Sequence, residues 1–104
     1  MRTHIDDLTM GGMRLQQLQV IMSVIEYAPH YFDFQPDRAD LAIWSYGPDK
    51  QDIQVVLECF GPDRTYKPLC FYADEWGRTY VVDREGNRQD KFFIELIENW
   101  AYEW

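Results

Sequence analysis

Four strand-like segments follow one another in the middle of the chain, and the turns between them are short. They span residues 41–46, 53–60, 68–73 and 78–83, and residues typical of turns follow each of them. Gly-Pro-Asp follows the first two segments, where proline presets the backbone φ angle and aspartate hydrogen-bonds its own backbone. Because short connections join antiparallel neighbours, this order predicts a four-stranded antiparallel meander.

Two helices are predicted to flank this meander. Residues 13–27 contain neither Gly nor Pro, and the segment after residue 90 carries apolar residues at helical spacing. Asn87 or Asp90 can cap this second helix. The predicted fold class is therefore α+β, with one compact domain over residues 1–104 and a flexible lead-in over residues 1–12. Residues 31–34 could add a short edge strand, which would make the sheet five-stranded.

The first predicted helix has apolar stripes on two of its sides. One stripe consists of Leu15, Leu18, Met22 and Ile25. The other stripe, which we take as the candidate oligomer interface, consists of Met13, Val20, Val24 and Tyr27. A helix on the surface of a small domain needs one apolar stripe, so the second either packs inside the domain or contacts another molecule. A homodimer through the first helix is one of these two arrangements.

The chain is acidic, with 18 Asp and Glu side chains against 10 Lys and Arg and a net charge of −8 over 104 residues. Binding to nucleic acid relies on Lys and Arg that neutralise phosphates, so we expect no direct nucleic-acid partner and no anionic membrane surface. No apolar run has the length of a signal peptide or a membrane span, which predicts a cytoplasmic protein.

The two cysteines, Cys59 and Cys70, are expected to be free thiols in that reducing compartment. If the hairpin between them closes symmetrically around Arg64 and Thr65, the two thiols would face each other across neighbouring strands. Two small buried apolar side chains are the alternative that we favour.

No residue pattern indicates catalysis, a cofactor or a metal site. The two histidines, His4 and His30, are not paired with a nucleophile or with a second metal ligand at close spacing. The aspartates Asp33, Asp37 and Asp40 lack the spacing of a cation-binding loop. The sequence therefore predicts that the chain is not an enzyme and that it holds no cofactor or metal.

Aromatic and acidic residues together form the pattern with the clearest functional meaning. Aromatic residues make up 16% of the chain, and Trp76 falls at the tip of a predicted hairpin, where a core position is awkward. Aromatic side chains are enriched in interface hot spots, and acidic neighbours favour a basic partner. The alternative is that these rings fill the core of a small domain. The candidate partner-binding residues are Tyr31, Asp33, Phe34, Asp37, Asp40, Asp74, Glu75, Trp76, Glu95, Glu98 and Tyr102.

This profile resembles small acidic proteins that neutralise a larger partner. The predicted function is a non-enzymatic protein-binding module that inhibits a partner with a basic, nucleic-acid-binding surface, such as an anti-defence protein of a phage or mobile element. One alternative is an immunity protein or antitoxin against a toxic nuclease. Another is a small-ligand-binding or enzymatic α+β domain with an aromatic-lined pocket, which would present convergent polar groups.

Overall fold

In the computed structural model, which describes residues 2–5, 13–27 and 38–102, six strands form one sheet in the order of the chain. Side chains are described for residues 13–27 and 38–98. The strands are β1 (Arg2–Ile5), β2 (Arg38–Tyr46), β3 (Asp52–Phe60), β4 (Tyr66–Ala73), β5 (Thr79–Val82) and β6 (Arg88–Asp90). The helices are α1 (Leu15–Tyr27) and α2 (Phe93–Tyr102).

Strands β2 to β6 pair in antiparallel fashion, which confirms the α+β class and the antiparallel meander flanked by two helices. The fifth antiparallel strand is β6, whose three polar residues are exposed and give no alternating pattern. The predicted edge strand at residues 31–34 lies outside the described residues.

Strand β1 extends the sheet in parallel with β2, with Arg2 opposite Asp40 and Ile5 opposite Ile43. The expected flexible lead-in is therefore wrong for Arg2–Ile5. A parallel neighbour needs a long connection, here one that contains α1, so no local turn signal announces it.

The hairpin between β3 and β4 closes with Phe60 opposite Tyr66, and residues 61–65 form the connection. Asp63 and Arg64 both take positive φ angles, 58° and 62°, inside this connection. Cys59 consequently lies opposite Lys67, so the two thiols do not face each other as symmetric closure would place them. The favoured interpretation, two small buried side chains, is confirmed for Cys59 and wrong for Cys70. Both thiols are free, with Cys59 buried and Cys70 exposed on the other face of the sheet. Burial, together with the negative charge of Asp40, raises the pKa of Cys59 to about 11.

The core lies between one face of the sheet and the two helices. Strand β3 alternates buried and half-buried side chains, as its sequence predicts, and its buried residues face the helices. Helix α1 contributes Ile21 and Val24, and α2 contributes Leu96 and Ile97. The opposite face of the sheet carries the other aromatic residues of β2 and β4, whereas Phe71 of β4 is buried in the core.

The rotation of α1 reverses the predicted roles of its two stripes. Val24 is fully buried, and Met13 and Val20 pack against the core, so these three residues of the proposed oligomer interface are core residues. Tyr27, the fourth, remains exposed. The outer stripe is the other one, and it consists of Leu15, Leu18, Met22 and Ile25.

A buried glutamine fixes this rotation. The side-chain amide of Gln17 donates hydrogen bonds to the carbonyl oxygens of Gln51, at 2.7 Å, and Ala73, at 3.5 Å. Its side-chain oxygen accepts a hydrogen bond from the backbone N–H of Arg14 at 3.0 Å. A buried amide is tolerated when its donors and acceptors are used. Because Gln17 must face the sheet, Val24 on the same side of the helix faces it too.

Candidate binding groove

A groove of about 570 Å³ lies between α1, the turn that joins β4 to β5, and the segment that joins β6 to α2. Helix α1 contributes Gln16 and Gln19, the turn contributes Trp76, and the segment before α2 contributes Phe92. Its volume is within the range of binding sites in proteins. We call this cavity the binding groove.

The turn that carries Trp76 is held by Asp74. One oxygen of its carboxylate accepts hydrogen bonds from the backbone N–H groups of Trp76, at 3.0 Å, and Arg78, at 2.9 Å. The other oxygen accepts from the guanidinium groups of Arg78, at 3.0 Å, and Arg88, at 2.8 Å. Burial alone would raise the pKa of Asp74, but these hydrogen bonds outweigh it and hold the pKa below its ordinary value.

Asp74 is therefore a structural residue. Its side chain is buried and both of its oxygens are used, so it is not available to a partner as the sequence predicted. Its physical role is to fix the backbone on which Trp76 stands.

Gly77 lets this turn approach α1 closely. Its φ angle is 82°, and a Cβ atom at this position would lie 2.9 Å from the Cβ of Gln16. Both the backbone conformation and the contact require glycine. The distance between Trp76 and α1, and with it the width of the groove, depends on this residue.

Two exposed aromatic side chains stand at the rim of the groove. The side chain of Trp76 is 62% exposed and that of Phe92 is 81% exposed. The guanidinium carbon of Arg78 lies 4.8 Å from the Trp76 ring, so one face of the indole is already covered. The next residue, Phe93, turns inward and meets Phe71 edge to face at 6.3 Å. Phe92 has no such partner among the described residues.

The charged groups that line the groove are paired, whereas its amides are not. Lys91 lies 3.6 Å from Glu95, and the Asp90 carboxylate accepts from Arg88 at 2.6 Å. In the part of the chain that the structure describes, the side chains of Gln16 and Gln19 make no hydrogen bond. The groove therefore offers neutral donors and acceptors between two aromatic edges.

The predicted contact residues do not converge on one site. Trp76 and Glu95 line the groove, and Glu98 is exposed one turn further along α2. Glu75 makes an ion pair with Arg14 at 3.5 Å. Asp40 lies on the opposite face of the sheet, with Arg38 at 3.2 Å. Four other candidates lie outside the described residues, and they are Tyr31, Asp33, Phe34 and Asp37. Tyr102 belongs to α2 but lies beyond the residues whose side chains are described.

Three groove residues were not predicted from the sequence to contact a partner, and they are Gln16, Gln19 and Phe92. The glutamines lie on a flank of α1 that shows no pattern except polarity. Phe92 did carry a signal, because an apolar residue just before the predicted apolar face of α2 has no place in the core.

The aromatic rings on the face of the sheet away from the helices pack against one another. The ring centres of Tyr72 and Tyr46 are 4.3 Å apart, and those of Tyr72 and Tyr80 are 5.3 Å apart. Tyr80 donates a hydrogen bond to Asp52, and burial followed by this hydrogen bond raises its pKa. The three tyrosine rings contact one another, and the hydroxyl group of Tyr80 is bonded to Asp52. We therefore assign these tyrosines a structural role.

Within residues 2–5, 13–27 and 38–102, no three His, Cys, Asp or Glu side chains come close enough to hold a metal ion. No helix in these ranges is long and apolar enough to cross a membrane. No protein family model, curated protein or solved structure matches the chain.

Proposed function

We propose that this chain is a non-enzymatic protein-binding module that inhibits a larger partner with a basic, nucleic-acid-binding surface, as an anti-defence protein of a phage or mobile element does. The observation that carries the proposal is the outer stripe of α1. Leu15 is 67% exposed and Met22 is 66% exposed, and Leu18 and Ile25 are exposed beside them. Contiguous exposed apolar side chains of this kind mark interaction sites on soluble proteins.

The net charge of −8 supports a basic partner. Opposite charge accelerates encounter, while buried apolar anchors slow dissociation. The acidic residues divide evenly, eight in residues 1–52 and ten in residues 53–104, and no dense file of carboxylates imitates a phosphate backbone. This distribution favours contact between protein surfaces over mimicry of nucleic acid.

An immunity protein or antitoxin would use the same surfaces on a toxic nuclease, so the identity of the partner separates it from an anti-defence protein. A small-ligand-binding domain is the second candidate function, and the observation in its favour is the binding groove with its unpaired Gln16 and Gln19 amides. That candidate predicts stabilisation by a metabolite without any protein partner.

The test is capture from the native host by the immobilised chain, at low and at high salt. Wild-type protein should retain one stoichiometric partner, more of it at low salt, and the partner should bind nucleic acid once purified. The variant Met22→Glu should lose the partner, because a charge then replaces the most central exposed apolar side chain of the outer stripe. The matched control is Gln51→Glu, which adds the same charge at an exposed residue of the connection between β2 and β3, outside the outer stripe, and it should keep the partner.

Capture of no stoichiometric partner, together with a thermal shift caused by a metabolite, would contradict this proposal and favour the ligand-binding domain. A partner that Met22→Glu retains as well as the wild type does would remove the outer stripe from the contact surface.

A further inference from the structure

We infer that the binding groove receives an extended peptide segment of the protein partner. The segment would present one large apolar side chain between Trp76 and Phe92, an uncharged backbone along α1, and Lys or Arg residues on both sides of the apolar one. This inference rests on the proposed function and adds the chemistry that the groove would recognise.

The apolar side chain follows from the two rim residues. Trp76 and Phe92 belong to separate segments and both project into solvent, 62% and 81% exposed. Trp76 cannot retreat into the core, because Asp74 fixes its backbone and Arg78 covers one face of its ring. Rigid aromatic side chains of this kind provide contact area at low entropic cost.

The extended backbone follows from the glutamines. Gln16 and Gln19 are three residues apart on α1, so their side chains project from neighbouring positions on the groove side of the helix. Each carboxamide offers N–H donors and a carbonyl acceptor, which are the groups that match a peptide unit. A peptide backbone that lies along α1 can therefore satisfy both amides at once.

The distribution of charge follows from the ion pairs. The charged groups of the lining already have partners, Lys91 with Glu95 inside the groove and Asp90 with Arg88 beside it, so a charged residue at the centre of the groove would find no free counterion. Beyond the groove the acidic excess of the chain dominates, and Glu98 is exposed one helical turn from Glu95. Basic residues on either side of the apolar one would meet this field.

The exposure of the rim favours a peptide over a small metabolite. Sites for small molecules bury 70–90% or more of their ligand, whereas Trp76 and Phe92 leave most of their own surface in solvent. A longer ligand that continues past both rings gains contact on each side, which a small molecule does not.

The experiment is selection of the purified chain against a random peptide library displayed on a carrier, with the variant Trp76→Ala run in parallel. Wild-type protein should enrich peptides with one aromatic or large aliphatic residue flanked by Lys or Arg. The enriched peptide, synthesised with a fluorescent label, should bind Trp76→Ala at least about tenfold more weakly. The double variant Gln16→Ala/Gln19→Ala should also bind it more weakly. Trp44→Ala, which removes an exposed tryptophan on the opposite face of the sheet, should bind it as the wild type does.

Three results would overturn the inference: no enrichment beyond that of Trp76→Ala, enrichment of acidic peptides, or equal binding by all variants. Failure here is distinguishable from failure of the proposed function. A native partner that wild type and Trp76→Ala capture equally would leave the protein-binding function standing and remove the groove from it, whereas absence of any partner contradicts the function itself.

Discussion

At the scale of single residues, Asp74 holds together more of the structure than an aspartate in a turn usually does. Four hydrogen bonds from two arginines and two backbone N–H groups converge on one buried carboxylate. They join the β4–β5 turn to β6 and hold the tryptophan at the rim of the groove. An aspartate that begins a turn after a strand is recognisable in the sequence, but its burial is not, because both arginines arrive from later in the chain.

The variant Asp74→Asn should lower the free energy of unfolding by about 1–3 kcal/mol at pH 7, since hydrogen bonds to a charged group are lost or weakened. The pKa of Asp74 is lower in the folded chain than its ordinary value. The extra stability of the wild type over Asp74→Asn is therefore fully present at a pH above the ordinary pKa of an aspartate. It is lost as the pH falls through the lower pKa that Asp74 has in the folded chain. Urea unfolding at pH 7 and below pH 3 measures the difference.

Asp49→Asn is the control for this prediction, because Asp49 is an exposed turn residue without a hydrogen bond among the described residues. It should change the stability little at either pH. Equal losses for the two variants at pH 7 would show that the Asp74 network is not a special source of stability.

Gly77 and Gly86 allow a matched test of close packing. Their φ angles are 82° and 85°, so an alanine at either position is strained by about 1–2 kcal/mol. At Gly77 the added Cβ also meets Gln16 at 2.9 Å, whereas at Gly86 nothing lies within 4 Å. Overpacking should raise the cost at Gly77 by a further 1–3 kcal/mol or so.

Thermal unfolding of Gly77→Ala and Gly86→Ala compares the two costs directly. Gly77→Ala should be the less stable variant, and it should also widen the groove and weaken binding there. Equal stability of the two variants would mean that the turn does not rest on α1 as described.

At the scale of elements, α1 is the part that sequence reasoning oriented wrongly. Its two apolar stripes are similar in hydrophobicity, so periodicity alone offers no choice between them. The choice is made by Gln17, a polar residue whose amide reaches the carbonyls of Gln51 and Ala73. Polar residues in the core are rare, and the partners of their hydrogen bonds depend on the tertiary structure. The sequence alone therefore does not show that Gln17 is buried or which side of α1 faces the sheet.

Two substitutions by glutamate on α1 test its orientation. Val24 is fully buried, so Val24→Glu places an unpaired charge in the core and should cost about 3–5 kcal/mol. Met22 is 66% exposed, so Met22→Glu should change the stability by less than about 0.5 kcal/mol. Chemical denaturation measures both. The reverse order of stability would mean that the outer stripe packs in the core.

At the scale of the whole molecule, the short turns of the sequence were enough to predict the meander and the α+β class. They did not predict β1 or β6. The pairing of β1 with β2 joins segments more than thirty-five residues apart in the chain, and β6 has no apolar residue. The register of the β3–β4 hairpin was not predicted either. The positive φ angles of Asp63 and Arg64 shift the register away from the symmetric closure around Arg64 and Thr65. Of the candidate site, Trp76 and Glu95 were predicted, and the unpaired glutamines were not.

The same scale shows how charge and apolar surface divide their roles. The acidic excess is spread over the sequence, whereas six of the ten large hydrophobic residues that are exposed in the described part of the chain lie on the outer stripe of α1 or at the rim of the groove. In the proposed complex, charge of this kind would guide a basic partner toward the molecule and would be screened by salt, while the apolar contacts would decide how long the complex lasts.

Competition with nucleic acid is the most direct measurement of inhibition at a basic surface. The purified partner is loaded with a fluorescent nucleic acid, and anisotropy is followed as the chain is added. Wild-type protein should release the nucleic acid, and Met22→Glu should need at least about tenfold more protein to do so. A ternary complex, in which the partner holds the chain and the nucleic acid together at full occupancy, would contradict inhibition at that surface.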